Sequence, residues 1–189
     1  MLTQTVTKTR RLACVLVLAV VATSPAVAAS YTWHTWDLTA GGNGHLYSAI
    51  ETPRTWSEQN TIAQGEGAYL VSIHSDAEND FLTTTFGGTT LYWIGLYQPP
   101  GTGEPNEGWR WTSGEPLTYT NWEYDEPNQS LGREEDYAIT NWKQAGIWND
   151  GEGTFRCGAI MEVTPELEPW MLLACTGALG VAIRRWRRK

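Results

Sequence analysis

The stretch from Asn121 to Asp150, NWEYDEPNQSLGREEDYAITNWKQAGIWND, constrains this chain more than any other. It sets Glu123, Asp125, Glu126, Glu134, Glu135 and Asp136 within one short run, and it ends with Asn149 and Asp150 directly after Trp148. Carboxylates gathered this tightly repel one another, so a fold that keeps them together needs a compensating charge. The ligating side chains of the run are carboxylates and amides, with no His and no Cys among them. Such oxygen donors suit a hard cation such as calcium, which takes about 6–8 oxygens in flexible geometry. A solvated acidic loop is the plainer reading of any charge run. Here the amides of Asn128 and Asn149 sit beside carboxylates and favour a metal cage.

A chain of 189 residues has room for one domain plus processing segments. Between Ser30 and Val163 five basic residues (Arg54, Arg110, Arg133, Lys143 and Arg156) face nineteen acidic ones. That field repels nucleic acid. Of eleven Trp, nine fall between Trp33 and Trp148, enough to supply core area and, where exposed, stacking faces for ligands. Cysteine is scarce: Cys14 and Cys175 lie in apolar end segments, so Cys157 is alone in the middle and no intradomain disulfide can form. No Cys/His cluster has zinc spacing, and His34, His45 and His74 are scattered, as structural or surface histidines are.

The two ends read as addresses. Residues 1–29 follow the pattern of an export signal: Lys8, Arg10 and Arg11, then apolar Leu12 to Ala22, then small residues around Ala26 to Ala29. Cleavage fits after Ala28 or after Ala29. The segment 164–189 carries Pro165-Glu166-Leu167, apolar Trp170 to Ile183, and a basic end from Arg184 to Lys189. Fourteen helical residues span about 21 Å, short of the roughly 30 Å hydrocarbon core. Anchoring would need help from Trp170, Trp186 and snorkelling basic groups. The basic cluster stays cytoplasmic and leaves the domain outside. In layout this end resembles the PEP-CTERM sorting signal of Gram-negative bacteria, with Leu167 where the motif has Pro; an ordinary tail anchor is the alternative. That resemblance implies transient inner-membrane anchoring, a sorting transpeptidase, and final placement at the cell surface or in the extracellular matrix.

The middle, 30–163, reads as an α+β domain of two helices and short, loop-separated strands. His45 to Ile50 predicts a first strand after a Trp-rich lead-in. Thr55-Trp56-Ser57-Glu58 and Ser75-Asp76-Ala77-Glu78 have capping-box spacing and open two helices, the first running to about Gln64. Ala68 to Ile73 predicts a strand, and Leu91 to Leu96 a central one. Trp109 and Trp111 alternate across Arg110 as a strand; Tyr137 to Thr140, Ile147-Trp148 and Cys157 to Glu162 close the domain.

Six pieces then fall in one order: Trp56, GAYLVSIHSDAENDFL (Gly67 to Leu82), YWIGL (Tyr92 to Leu96), EGWRWTSGEPLTYTNW (Glu107 to Trp122), EPN (Glu126 to Asn128) and WND (Trp148 to Asp150). In this the chain resembles C-type lectin domains from about Gly44 to Val163. The resemblance implies that fold, with a long calcium-binding loop region and a calcium site made by Glu126, Asn128, Glu135, Asn149 and Asp150. The same five residues would bind carbohydrate, since calcium with open positions accepts two sugar hydroxyls, each of which then pairs with a carboxylate and an amide N–H. The EPN order goes with mannose- or glucose-type sugars. Pro127, between two of the ligands, is where a cis X-Pro bond is tolerated.

Three features depart from the family. Its four usual disulfide positions align with Ala63, Tyr137, Gly153 and Met161, so both bridges are absent. The loop from Asn128 to Glu135 is one residue longer than usual, which brings Glu134 in as an alternative to Glu135. Glu104-Pro105-Asn106 repeats the tripeptide before the Trp109 strand and reads as a loop coincidence. A second calcium near Asp125, Glu134 and Asp136 competes with a merely solvated acidic face. The reading that results is an exported, calcium-dependent, glycan-binding domain without nucleic-acid partner or catalytic residues. Calcium would keep the clustered acids ionised and so oppose the proton-carrying carboxyl of a glycosidase. The alternative is a structural or adhesive surface protein in which calcium only stabilises the loops.

Overall fold

A computed structural model of the chain describes residues 30–103 and 105–165. Residues 1–29, where an export signal is expected, residues 166–189 of the expected sorting segment 164–189, and Glu104 lie outside those residues. The described elements run β1 (His34–Thr35), β2 (Leu46–Arg54), α1 (Trp56–Gly65), β3 (Tyr69–Leu70), α2 (Asp76–Phe86), β4 (Tyr92–Tyr97), β5 (Arg110–Trp111), β6 (Tyr137–Thr140), β7 (Trp148–Gly151) and β8 (Cys157–Val163). This is the expected α+β plan of two helices with short strands.

Both helices start where the capping residues stand. Thr55 accepts from the Glu58 N–H, and the Glu58 carboxylate accepts in return from the Thr55 N–H at 2.9 Å, a complete capping box. At α2 only half of the box forms. Ser75 accepts from the Glu78 N–H, but the Glu78 side chain is turned into the interior. Its Oε1 accepts from the Tyr47 hydroxyl at 2.6 Å and its Oε2 from the His74 N–H at 2.8 Å. A buried carboxylate must be paired, and the tyrosine hydroxyl displaces the capping contact. Gly87, at φ +90°, ends α2 in a conformation that side-chain-bearing residues rarely adopt.

One sheet joins the strands in the order β1-β2-β8-β4-β6-β7, with β3 paired to β8 and β5 to β4. Neighbours are antiparallel except β4 and β8, which run parallel (Tyr92 opposite Gly158, Trp93 opposite Ala159) because β8 enters between β2 and β4. The first strand begins one residue later than expected and runs on to Arg54, and its partner β1 is hidden in the Trp-rich lead-in. The Ala68–Ile73 run pairs as strand only at Tyr69 and Leu70. Beyond them Val71 donates to the Ile160 carbonyl and accepts from the Gly95 N–H, bridging β8 and β4 without a regular ladder.

The apolar side chains form two clusters on the sheet. One gathers Tyr47, Val71, Leu82, Ile94, Trp111 and Trp148 under the long loops; the other gathers Trp56, Ala63, Leu70, Trp93, Ile139 and Met161. Trp93, Trp111 and Trp148 are fully enclosed. Each removes roughly 150–250 Å² from water, a gross gain of about 4–6 kcal/mol at 25 cal/mol/Å². A disulfide contributes about 2–4 kcal/mol by comparison, so the absence of bridges leaves the fold well supplied. At the four aligned cysteine positions, Ala63 and Met161 pack in one cluster, and the Tyr137 ring lies over Gly153. Cys157 is a free, buried thiol whose pKa burial pushes up to about 12. Such a thiol is inert at neutral pH.

Candidate calcium and carbohydrate site

The site is built on the outer edge of β7, the last strand of the sheet. Trp148 bonds along this edge to the incoming loop: its N–H donates to the Asn121 carbonyl at 2.8 Å and its carbonyl accepts from Glu123 N–H at 2.8 Å. The loop is held because Trp122 and Trp148 meet edge to face at 5.8 Å, with Trp122 also against Trp109 at 5.0 Å. Both indoles therefore support the loop from beneath. The bond from Glu126 to Pro127 is cis. The Asn128 amide donates to Glu126 Oε2 at 2.5 Å, so the two side chains flanking Pro127 meet.

Strand pairing places the remaining donors. Asn149 and Asp150 stand within β7, opposite Ile139 and Ala138 of β6. WND is thus strand through its last residue, where a strand ending at Trp148 was expected. The Asn149 amide lies on the Asp150 backbone carbonyl. Glu135 precedes β6, and its Oε2 accepts from the Ser130 N–H at 2.8 Å. Glu135, Asn149 and Asp150 line one cavity of about 330 Å³. Glu134 is exposed and does not line it.

The electrostatics are those of a site short of positive charge. Both oxygens of the buried Asp150 carboxylate lack a hydrogen-bond partner. Burial first, and then the facing Glu126 carboxyl, push its pKa up to about 8. The Glu135 pKa is raised by burial foremost, with Glu126 and Glu152 adding to it. The nearby cation Arg133 is paired with Glu152, donating to its Oε1 at 2.6 Å. An orphaned, enclosed carboxylate facing a second one, with two amides and a backbone carbonyl beside it, fits a hard divalent cation. Among the described residues no three His, Cys, Asp or Glu side chains by themselves make a metal cluster. A cation here must also use the amides and the carbonyl.

Other sequence expectations find their places. His45 and His74 are structural, pairing with Glu162 at 2.5 Å and Glu115 at 3.2 Å. The Pro105 carbonyl accepts from the Trp109 indole at 2.8 Å, so that segment shapes a turn, and neither Pro105 nor Asn106 lines the cavity. Sequence reasoning missed the cavity's other walls: Trp142 and Phe155, with the Arg133–Glu152 pair at the rim. Nothing in the sequence separated these aromatics from the core ones.

Two capped helices, one twisted sheet and a polar site carried on loops at a strand edge define a binding domain of the lectin type. The chain belongs to the C-type lectin family: the sequence model of the lectin C-type domain matches residues 52–162. It is 35% identical over 107 residues to human C-type lectin domain family 17, member A, a match covering 57% of this chain and 26% of that protein. The chain thus corresponds to about a quarter of that relative's length. The fold is similar to the cow C-type carbohydrate-recognition domain of CD23, solved in the presence of GlcNAc2Man3 oligosaccharide (TM-score 0.57, 28% identity, 66% of this chain and 92% of that one). It is also similar to a Ca2+-dependent type II antifreeze protein in its Ca2+-free form (TM-score 0.59, 25% identity, 70% and 97%).

Proposed function

We propose that this domain binds glycans through calcium held by Glu126, Asn128, Glu135, Asn149 and Asp150. The observation carrying the proposal is the Asp150 carboxylate, enclosed, facing the Glu126 carboxyl and, among the described residues, matched by no cationic side chain. When bound, calcium supplies open coordination positions for two neighbouring sugar hydroxyls. The protein's part is orientation. Glu126 and Glu135 accept protons from those hydroxyls, the Asn128 and Asn149 amides donate to them, and Asp150 supplies the enclosed negative charge. The EPN order supports a mannose- or glucose-type preference. A single sugar held by two hydroxyls binds near the millimolar range, about −4 kcal/mol, and useful avidity needs several copies at a surface. Residues 1–29 export the chain. The segment 164–189 then holds it at the inner membrane until a sorting transpeptidase transfers or releases it at the cell surface or into the matrix. Their three-part and motif–apolar–basic layouts support this placement.

A second reading, a structural or adhesive surface protein with calcium as a rivet, is supported by the antifreeze protein of similar fold. A glycan array run with and without chelator separates the two. Chelator-sensitive binding of mannose or glucose glycans, lost in Asn128→Ala, is the outcome expected of a lectin. Chelator-sensitive melting with no glycan bound is the outcome expected of the rivet.

A further inference from the structure

Trp142 follows β6 in the turn to β7, yet it belongs to neither apolar cluster. A partly buried indole outside both clusters keeps some surface free for a ligand. It lines two concavities at once. The first, of about 330 Å³, is lined by Glu135, Asn149 and Asp150 together with Ile139 and Phe155. The second, of about 520 Å³, lies beyond the indole between Gly88, Thr89, Leu91 and Lys143 to Ala145. Phe155 is 42% exposed and is fixed edge-on against Trp93 at 5.9 Å. Both volumes fall within the roughly 300–1,000 Å³ of small-ligand sites.

The chemistry of the walls points to one kind of occupant. Apolar faces (Trp142, Phe155, Ile139) are flanked by groups able to pair with hydroxyls: Thr154, Glu152 and Arg133 on one side, Thr89, Gln144 and Lys143 on the other. A pyranose has the matching distribution, an apolar C–H face and a rim of hydroxyls. The first cavity is continuous with the candidate sugar site because it shares Asn149 and Asp150 with it.

We infer that the two concavities, joined across Trp142, form an extended cleft for a linear glycan, whose first unit sits at Asn149 and Asp150 and whose following units stack on Trp142. This rests on the carbohydrate-binding reading and adds the substrate class: a chain of hexoses in preference to a lone sugar. Gly151 lines the same cavity. A Cβ there would come 2.9 Å from Ile139 Cδ1, so the glycine leaves room for the Ile139 side chain at the cavity.

The test is calorimetry on the full chain with calcium, using methyl α-mannoside and linear mannotetraose as probes. The quantity read is the ratio of their affinities. In the native chain the tetrasaccharide binds about tenfold more tightly than the mannoside, as one good aromatic stack implies. Trp142→Ala brings the ratio down toward the value set by the count of sugar units alone, and Trp142→Phe restores part of it. Thermal melts of both variants establish that they fold, and a tetrasaccharide-induced change in tryptophan fluorescence, lost in Trp142→Phe, provides a second readout. A ratio near one in the native chain, or a ratio indifferent to Trp142→Ala, overturns the cleft while chelator-sensitive mannoside binding leaves the lectin reading standing. Failure of both probes to bind overturns both.

Discussion

The Tyr137 ring lies directly over Gly153: a Cβ built on that glycine would come 2.6 Å from Tyr137 Cε2. The ring cannot easily retreat, since its other neighbours are Trp56 at 4.6 Å and Trp93 at 6.3 Å. Where the family resemblance puts two half-cystines, this chain has an aromatic ring on a bare backbone. Gly153→Ala should therefore destabilise the fold by about 1–3 kcal/mol, the usual cost of overpacking. Chemical denaturation of the variant reads it directly; an unchanged midpoint would mean that the ring moves freely.

Calcium should raise the melting temperature. At a hundredfold excess over its dissociation constant the gain is about 2.7 kcal/mol. Asp150→Asn should abolish that gain, because the enclosed charge is what the ion neutralises. In chelator the same variant should be at least as stable as the native chain at pH 8, for it removes a buried carboxylate that has no partner. Paired melts with calcium and with chelator test both halves.

His45 provides a pH signature. Its pKa is raised, chiefly by the hydrogen bond to Glu162, whose other oxygen accepts from Ser72 N–H at 3.0 Å. A raised histidine pKa means that the protonated form is favoured on folding. The stability it contributes is complete below pH 6.5, the unfolded value, and is lost as pH rises through the raised folded value. His45→Gln should flatten the fall in melting temperature between mildly acidic and alkaline buffer. Two parallel curves would remove His45 as the source.

Tyr47→Phe should cost about 1–3 kcal/mol, because it deprives the buried Glu78 carboxylate of a donor. Burial already raises the Glu78 pKa, and the Tyr47 bond opposes that rise. The penalty should accordingly shrink in acid, where Glu78 takes up a proton. Denaturation at neutral and acidic pH gives the comparison.

Much of this molecule is written locally. Thr55 with Glu58 marks the start of α1, the Tyr92–Leu96 run marks the central strand, and the acids massed before Tyr137 announce a place where charge must be neutralised. Local pattern carries these because capping and strand burial depend on residues close in sequence. Other features depend on partners far along the chain. Glu78 looks like the second half of a capping box until Tyr47 takes its carboxylate, and β1 is too short to register before β2 lies beside it. Trp142 and Trp148 are six residues apart and alike on paper. Only the folded sheet encloses one indole completely and leaves the other between two cavities. The sequence determined which chemical groups the loops carry. The tertiary structure decided which of them lose their water together, and desolvation is a property of the surroundings that no residue carries alone.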